Sequence, residues 1–404
     1  MKTQLQTLKG FRDFLPAEKR KRDYVLRQII QTFELWGFAP LETPTIESLD
    51  LFKGQIGEDE KLFYQFKDNG DREVALRYDQ TVPTCRVVAQ YQNQLPGIFK
   101  RYQVQPVFRA EKPQRGRYRE FLQCDADIFG TASPLADAEV IGLGLDIYRR
   151  LGFPQAKVYV NDRGLIKDLP YSAIVAIDKL DKIGETGVIE TMVKNGIPLD
   201  QAKQYLKRVR DLTPNDTVKT IFATLESYGF DQNWYQFEPT IARSFAYSDG
   251  PIWEIRIAGY EAGSVLGGER FDGLTAKISG ISIPATGFGL GFDRTVEAAQ
   301  LLGLIPDLDD AVQVMVCNFD PSARSVSLRI ANQLRQAGIS TDVYPASDKL
   351  AKQFKYASQS GIKFVAVIGE AELAQNQVTL KNMQTGEQKT LDADQVVAEI
   401  QVSK

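Results

Sequence analysis

The stretch FKRYQVQPVFRAEKPQRGRYREFLQCDADIFG, Phe99–Gly130, alternates apolar and polar residues along two arms joined by a turn rich in Gly, Pro and Arg. That alternation is the mark of half-buried strands, and it predicts an antiparallel pair, Val104–Glu111 and Arg119–Phe129. On the second arm a period of two places Gln123, Asp125 and Asp127 on one face and Leu122, Cys124, Ala126 and Ile128 on the other. On the first arm Arg109 and Glu111 share a face, opposite Phe108 and Ala110, and the turn carries Lys112, Arg115 and Arg117. A hairpin with cations at its tip and carboxylates on its floor suits a ligand with both negative and positive parts, such as a nucleotide phosphate and an amine. A solvated hairpin with surface ion pairs is the plainer alternative.

Working outward, Glu18–Leu35 spaces Val25, Ile29, Ile30, Phe33 and Leu35 as a helix, with Gly37 as its C-cap. Phe38–Ile46 reads as extended, Leu62–Gly130 as short strands separated by polar turns, Pro134–Leu151 as a helix and Lys157–Asn161 as a strand. From about Gly164 to Tyr235 the chain is helical and charged, which predicts a helical insertion between strand-rich halves. Strands resume at Thr240–Tyr260, Gly and Asp turns occupy Gly263–Gly273, and Ala285–Leu301 runs from a Gly-rich strand into a helix. Gly303–Asp310 has linker character, and the remainder alternates strand and helix as a small α/β domain.

The chain has 404 residues, 43% hydrophobic and 25% charged, with a formal charge of −3, which excludes disordered and collagen-like classes. No apolar run approaches the roughly 20 residues of a membrane span, and the polar N-terminus lacks a signal-peptide core, so a cytoplasmic location without membrane contact is expected. Cys85, Cys124 and Cys317 lie far apart, in no metal-binding or disulfide pattern. There is no histidine at all, which rules out His-based triads, His-ligated metals and imidazole relays on the protein. Any chemistry falls to carboxylates, Arg and Lys, hydroxyls or backbone dipoles.

Phe108–Asp125 resembles motif 2 of class II aminoacyl-tRNA synthetases, in the form found in histidyl-tRNA synthetases. Ala75–Pro83 (ALRYDQTVP) looks like that family's amino-acid-site segment, Gly287–Arg294 (GFGLGFDR) is similar to motif 3, and Gly37–Pro44 (GFAPLETP) to motif 1 with its dimer-interface proline. Gly10–Pro16 (GFRDFLP) also matches, and Tyr344–Glu370 resembles the anticodon-binding domain. GFGLGFDR lacks the G-x-G-x-x-G spacing of a dinucleotide fingerprint. Ile241–Ile255 (IARSFAYSDGPIWEI) stands where the family has Arg-Gly-Leu-Asp-Tyr-Tyr-Thr-Gly: Arg243, Tyr247 and Gly250 match, while Ser244, Ala246, Ser248 and Asp249 depart, Ser248 replacing a tyrosine that helps recognise imidazole.

The resemblance implies an α/β class II fold: an antiparallel active-site sheet in an α+β catalytic core (residues 1–163 and 237–305), a helical insertion (164–236) and a C-terminal mixed α/β anticodon-binding domain (311–404). It implies ATP-dependent activation of histidine and transfer to tRNA(His) by a homodimer, with Mg²⁺ accompanying ATP on ligands the sequence does not name. Arg109 and Arg243 would be catalytic; Arg109, Glu111, Arg117, Arg119 and Arg294 would hold ATP. Asp79, Thr81, Gln123, Asp127, Arg243 and Tyr247 would hold histidine, and Gln114, Lys352 and Lys355 would meet tRNA. Lys349 lies on the same helical side as those two lysines. Two alternatives stand: a non-catalytic histidine-binding paralogue, such as the regulatory subunit of ATP phosphoribosyltransferase, and a class II synthetase for another amino acid.

Overall fold

The computed structural model describes residues 5–55, 57–114, 116–243, 247–308 and 312–402. The chain divides into two compact units, Met1–Pro306 and Asp307–Lys404.

The first unit is built on an eight-stranded sheet. Its strands in chain order are β1 (Ala39–Pro40), β2 (Phe99–Phe108), β3 (Glu120–Phe129), β4 (Ala156–Asp162), β5 (Tyr235–Phe237), β6 (Pro251–Ile257), β7 (Leu266–Arg270) and β8 (Ala285–Gly291). Across the sheet they run β1-β2-β3-β8-β7-β6-β4-β5. The six central strands pair antiparallel, and the two edge strands pair parallel to their neighbours. The hairpin expected from the alternation is the longest pair: β2 and β3 are both ten residues and start and stop in register, Phe99 opposite Phe129 and Phe108 opposite Glu120.

The back of this sheet is the main core. Cys124, Ala126 and Ile128 point into it with Trp253, Ile255, Leu266, Phe288 and Leu290, all buried. The helix Pro16–Leu35 starts with Pro in its first turn, where the missing N–H costs nothing, and buries Val25, Ile29 and Phe33 along one stripe. Phe33 stacks on Tyr102 of β2 at 5.0 Å. Helix Pro134–Arg150 is buried on most of its surface beneath the same sheet.

The sequence reading differs at three places: the first hairpin strand runs Phe99–Phe108 and not Val104–Glu111, leaving Arg109 and Glu111 just past its end, and two elements change type. Within the region read as short strands, Thr81–Gln90 is a helix, with Pro83 in its first turn and Val82, Cys85 and Val88 buried. Leu266–Arg270, read as turn, is a central strand. A three-stranded sheet (Ile46–Ser48, Gln65–Lys67, Glu73–Leu76) packs beside the Thr81–Gln90 helix around Phe52, Phe63 and Tyr78.

The charged stretch forms four helices, Tyr171–Ile177, Leu180–Lys194, Leu199–Arg210 and Asp216–Ser227. The first three enclose a small core of their own, including Ile174, Val188, Met192 and Leu206. The fourth does not belong to that lobe: its Val218, Ile221 and Leu225 join the main core. All three cysteines are buried and unpaired.

The second unit is a five-stranded sheet in which Thr341–Val343, Val314–Val316 and Phe364–Val367 run parallel, followed by the antiparallel hairpin Gln377–Asn382 and Gln388–Asp392. Helices cover both faces, Arg324–Gln336 on the side of Val314 and Phe364, and Leu350–Gln359 on the side of Met315 and Val365. Among the described residues no helix is long and apolar enough to cross a membrane.

Candidate active site

Cross-strand partners share a face of a sheet, so the register of β2, β3, β8 and β7 writes the site row by row. Arg101, Asp127, Gly287 and Glu269 stand opposite one another in one row. The next row is Gln103, Asp125, Gly289 and Gly267, and the third is Gln105, Gln123 and Gly291. The β2 and β3 side of each row is charged or polar, and β8 contributes bare backbone to all three, with Glu269 of β7 closing the first row.

The glycines are there because those side chains lie across them. A Cβ on Gly287 would sit 1.7 Å from Asp127 Oδ1, one on Gly289 2.6 Å from Gln123 Nε2, and one on Gly267 2.0 Å from a terminal nitrogen of Arg243. Gly268 faces the core and makes room for the Trp253 ring, 2.2 Å from where its Cβ would be. Gly-rich sequence in β7 and β8 therefore lowers the sheet floor and creates the space above it.

That space is a cavity of about 340 Å³. Asp79, Thr81, Arg109, Glu111, Arg117, Gln123, Asp127, Arg243, Tyr247 and Arg294 all line it, from six separate stretches of chain. Arg109 is braced rather than free: its Nε donates to Tyr78 O at 3.2 Å, and the guanidinium lies 4.3 Å over the Tyr78 ring and 5.2 Å over Phe121. Arg294 donates to Gly116 O at 3.1 Å and Ser264 O at 2.8 Å, which ties the hairpin turn to the loop before β7. Arg117 pairs with Glu111 at 3.2 Å. Arg243 has φ +40°, a region that residues other than glycine seldom occupy, and its guanidinium reaches Glu269 at 3.3 Å.

The acidic end is deeply buried. Burial pushes Asp79 up to about 6, against the pull of the Val82 N–H and of Arg109 and Arg101. Asp127 is likewise raised to about 6 by burial, although it forms an ion pair with Arg101. Asp125 is pushed well above the usual carboxylate range by burial, with Asp127 and Asp79 adding to the rise. Burial also drives the Tyr247 phenol upward, helped by Glu269 and Asp79, so it stays a hydrogen-bond donor. One guanidinium, Arg101, thus serves several carboxylates, and the cavity offers a net attraction for cationic groups.

Some expected site residues lie elsewhere. Arg119 does not line the cavity: it donates to Glu111 O at 3.0 Å and Lys9 O at 3.3 Å, fixing the N-terminal lead against the hairpin. Gln114 pairs with Arg117 through backbone bonds and lines a second cavity, of about 660 Å³, that shares Arg117, Ser264 and Arg294 with the first. Lys352 and Lys355 are exposed on helix Leu350–Gln359 of the second unit, with Lys352 paired to Asp348 at 2.8 Å, and Lys349 precedes that helix. Arg115, Ser244 and Ala246 lie outside the described residues.

Two cavity residues, Asp293 and Glu269, and the buried Arg101 escaped the sequence reading. Asp293 accepts from Arg12 and Arg22, each at 2.6 Å, and from Leu122 N at 3.1 Å. Arg101 and Glu269 owe their place to register, which a single sequence does not reveal. The charged GFRD lead and the FDR end of Gly287–Arg294 carried the signal for the Arg12–Asp293 pair.

Comparison with known proteins agrees with this layout. Residues 10–185 match the family model described as histidyl-tRNA synthetase, and 312–403 match that of an anticodon binding domain. The chain is 34% identical to the histidine–tRNA ligase of Cytophaga hutchinsonii, covering 96% of this chain and 98% of the relative, and 36% identical to that of Wolinella succinogenes, covering 98% and 97%. The crystal structure of histidyl-tRNA synthetase from Nostoc sp. PCC 7120 superposes with a TM-score of 0.84 at 28% identity, covering all of both chains. The chain belongs to the histidyl-tRNA synthetase family.

Proposed function

We propose that this protein activates histidine with ATP and transfers it to tRNA(His), and that the cavity above β3, β8 and β7 performs the first step. The observation that carries this reading is the meeting, in one cavity, of guanidiniums from three separated segments, Arg109, Arg243 and Arg294, with the buried carboxylates of Asp79 and Asp127. Arg109 and Arg243 would flank the α-phosphate and stabilise its charge as the histidine carboxylate attacks and pyrophosphate leaves. Arg117 and Glu111 would lie toward the outer phosphates and the base, and Arg294 would cover the adenine. Asp79, Thr81 and Gln123 would take the α-ammonium, and Asp127 and Tyr247 the imidazole. Neither step needs a protein imidazole, because positioning and fixed charge carry this chemistry.

Among the described residues no three carboxylates or thiols gather into a metal cage. That fits magnesium carried on the nucleotide, since Mg²⁺ keeps waters and is bound through phosphates with one or two carboxylates. The proposal extends to Gln114, Lys352 and Lys355 meeting tRNA, to a homodimer on the strength of Gly37–Pro44, and to a cytoplasmic location.

Histidine-dependent exchange of pyrophosphate into ATP by the purified protein tests the activity. Exchange with histidine supports it, exchange with another amino acid would assign a different synthetase, and none would favour a non-catalytic paralogue. A Gly267→Ala variant should stay folded, because the three atoms nearest its new methyl all belong to the guanidinium end of Arg243 and none to backbone, yet lose on the order of 100-fold in exchange rate as the guanidinium is displaced; normal exchange would show that this arginine is not engaged. The KM for histidine should rise relative to that of an Asp79→Asn variant as pH falls through about 6, where Asp79 takes up a proton and ceases to attract the ammonium. The substrate imidazole and Asp127 titrate over the same range in both proteins and cancel in the comparison; a parent-to-variant KM ratio constant from pH 7.5 to 5.5 would remove Asp79 from the site.

A further inference from the structure

Ser248 stands where the family's segment has a tyrosine directed at imidazole, and the structure shows what its hydroxyl does instead: Oγ donates to Glu269 Oε2. Glu269 is 5% exposed, lines the cavity, and uses its other oxygen, Oε1, to accept from Arg243. It stands in the same row as Asp127, with only Gly287 between them. Two strand spacings put the two backbones roughly 10 Å apart, and the Asp127 carboxylate leans inward over Gly287, so the two carboxylates face one shared space. The aromatic rings of Tyr247 and Phe271 border the same space. A ring entering that space has apolar edges and a carboxylate from each flanking strand.

We propose that Glu269, oriented by Ser248, is a specificity-determining residue of this protein, closing the amino-acid pocket opposite Asp127 so that histidine is bound as the imidazolium, with one N–H donated to each carboxylate. The inference rests on the activity proposed above. It differs from a merely neutral-ring site in its demand: both ring nitrogens must donate, so a ring that stays neutral turns a nitrogen lone pair instead of an N–H toward one of the carboxylates. Arg101 and Arg243 already neutralise one carboxylate each at the two ends, so the ring inserts into a site of balanced pairs rather than into bare charge.

The test compares L-histidine with 1,2,4-triazole-3-alanine, which has the same size but a ring that remains neutral and carries a single N–H. In pyrophosphate exchange the unaltered protein should favour histidine by roughly 100-fold in kcat/KM. Glu269→Gln should lower kcat/KM for histidine by tens of fold through KM, leave the triazole nearly untouched, and leave the KM for ATP in place. Ser248→Ala, which keeps the carboxylate and frees its orientation, should lie between; it decides the question if the Gln variant does not fold. If Glu269 served only to hold Arg243, both amino acids would lose equally and the ATP KM would move, which would overturn the proposal, as would unchanged discrimination in both variants. Failure of the unaltered protein to exchange with histidine would instead sink the activity on which this inference rests.

Discussion

Arg243→Ala is expected to lower histidine-dependent adenylate formation by on the order of 1000-fold, the largest effect of any single change in the chain. The guanidinium reaches over Gly267 with one terminal nitrogen, from a backbone held at φ +40°, and its other terminal nitrogen lies 3.3 Å from Glu269. Lysine could supply the charge but not the two-edged plane, so Arg243→Lys should recover little. Stability should fall by about 1–3 kcal/mol, since Glu269 loses a buried cation but keeps the Ser248 hydroxyl. Pairing the change with Glu269→Gln should restore most of that stability and none of the activity. Single-turnover measurement of adenylate and urea unfolding of the three variants check this; a variant retaining a tenth or more of the rate would remove Arg243 from the catalytic step.

Asp79→Asn should move function and stability in opposite directions. Binding of an α-ammonium to a neutral amide loses a buried charge-assisted pair, so the KM for histidine should rise about 100-fold or more. Folding gains, because the native carboxyl has its affinity for protons raised from 3.8 to about 6. Between those values the native state holds more protons than the unfolded chain, so its stability declines as pH rises through the window and the cost is complete above it. Two units correspond to at most about 3 kcal/mol, so the variant should be more stable than the parent at pH 8 and nearly equal to it at pH 4. Asn can still accept the Val82 N–H that Asp79 receives at 3.2 Å, so the helix Thr81–Gln90 keeps its start. Equal stabilities at pH 8 would show that Asp79 carries no burial cost.

How much of this could be read in advance depended on whether a residue's role is local. Strands β2 and β3 were evident because alternation is local, and it correctly set Asp125 and Asp127 on the face away from Cys124 and Ala126. The helix Thr81–Gln90 was hidden by Pro83 and its polar flanks, although proline is harmless in a first helical turn. Strand β7 was hidden by its own glycines, which usually punctuate turns but here clear space for Arg243 and Trp253. Glu269 gains its meaning only when β8 comes into register with β3, Gly287 meeting Asp127 160 residues away, whereas Arg101 meets Asp127 across the hairpin through a register that alternation alone does not fix. Arg119 carried the charge expected of a phosphate ligand, but a cation's target is set by which side of the hairpin its backbone leaves, and this one turns to Lys9 and Glu111.

The most direct measurement is a crystal structure with a non-hydrolysable histidyl-adenylate analogue. Its phosphate mimic should lie between Arg109 and Arg243, its ammonium at Asp79, and its ring against Asp127 and Glu269. An analogue bound elsewhere, or seated with those two guanidiniums directed away from the phosphate position, would contradict it.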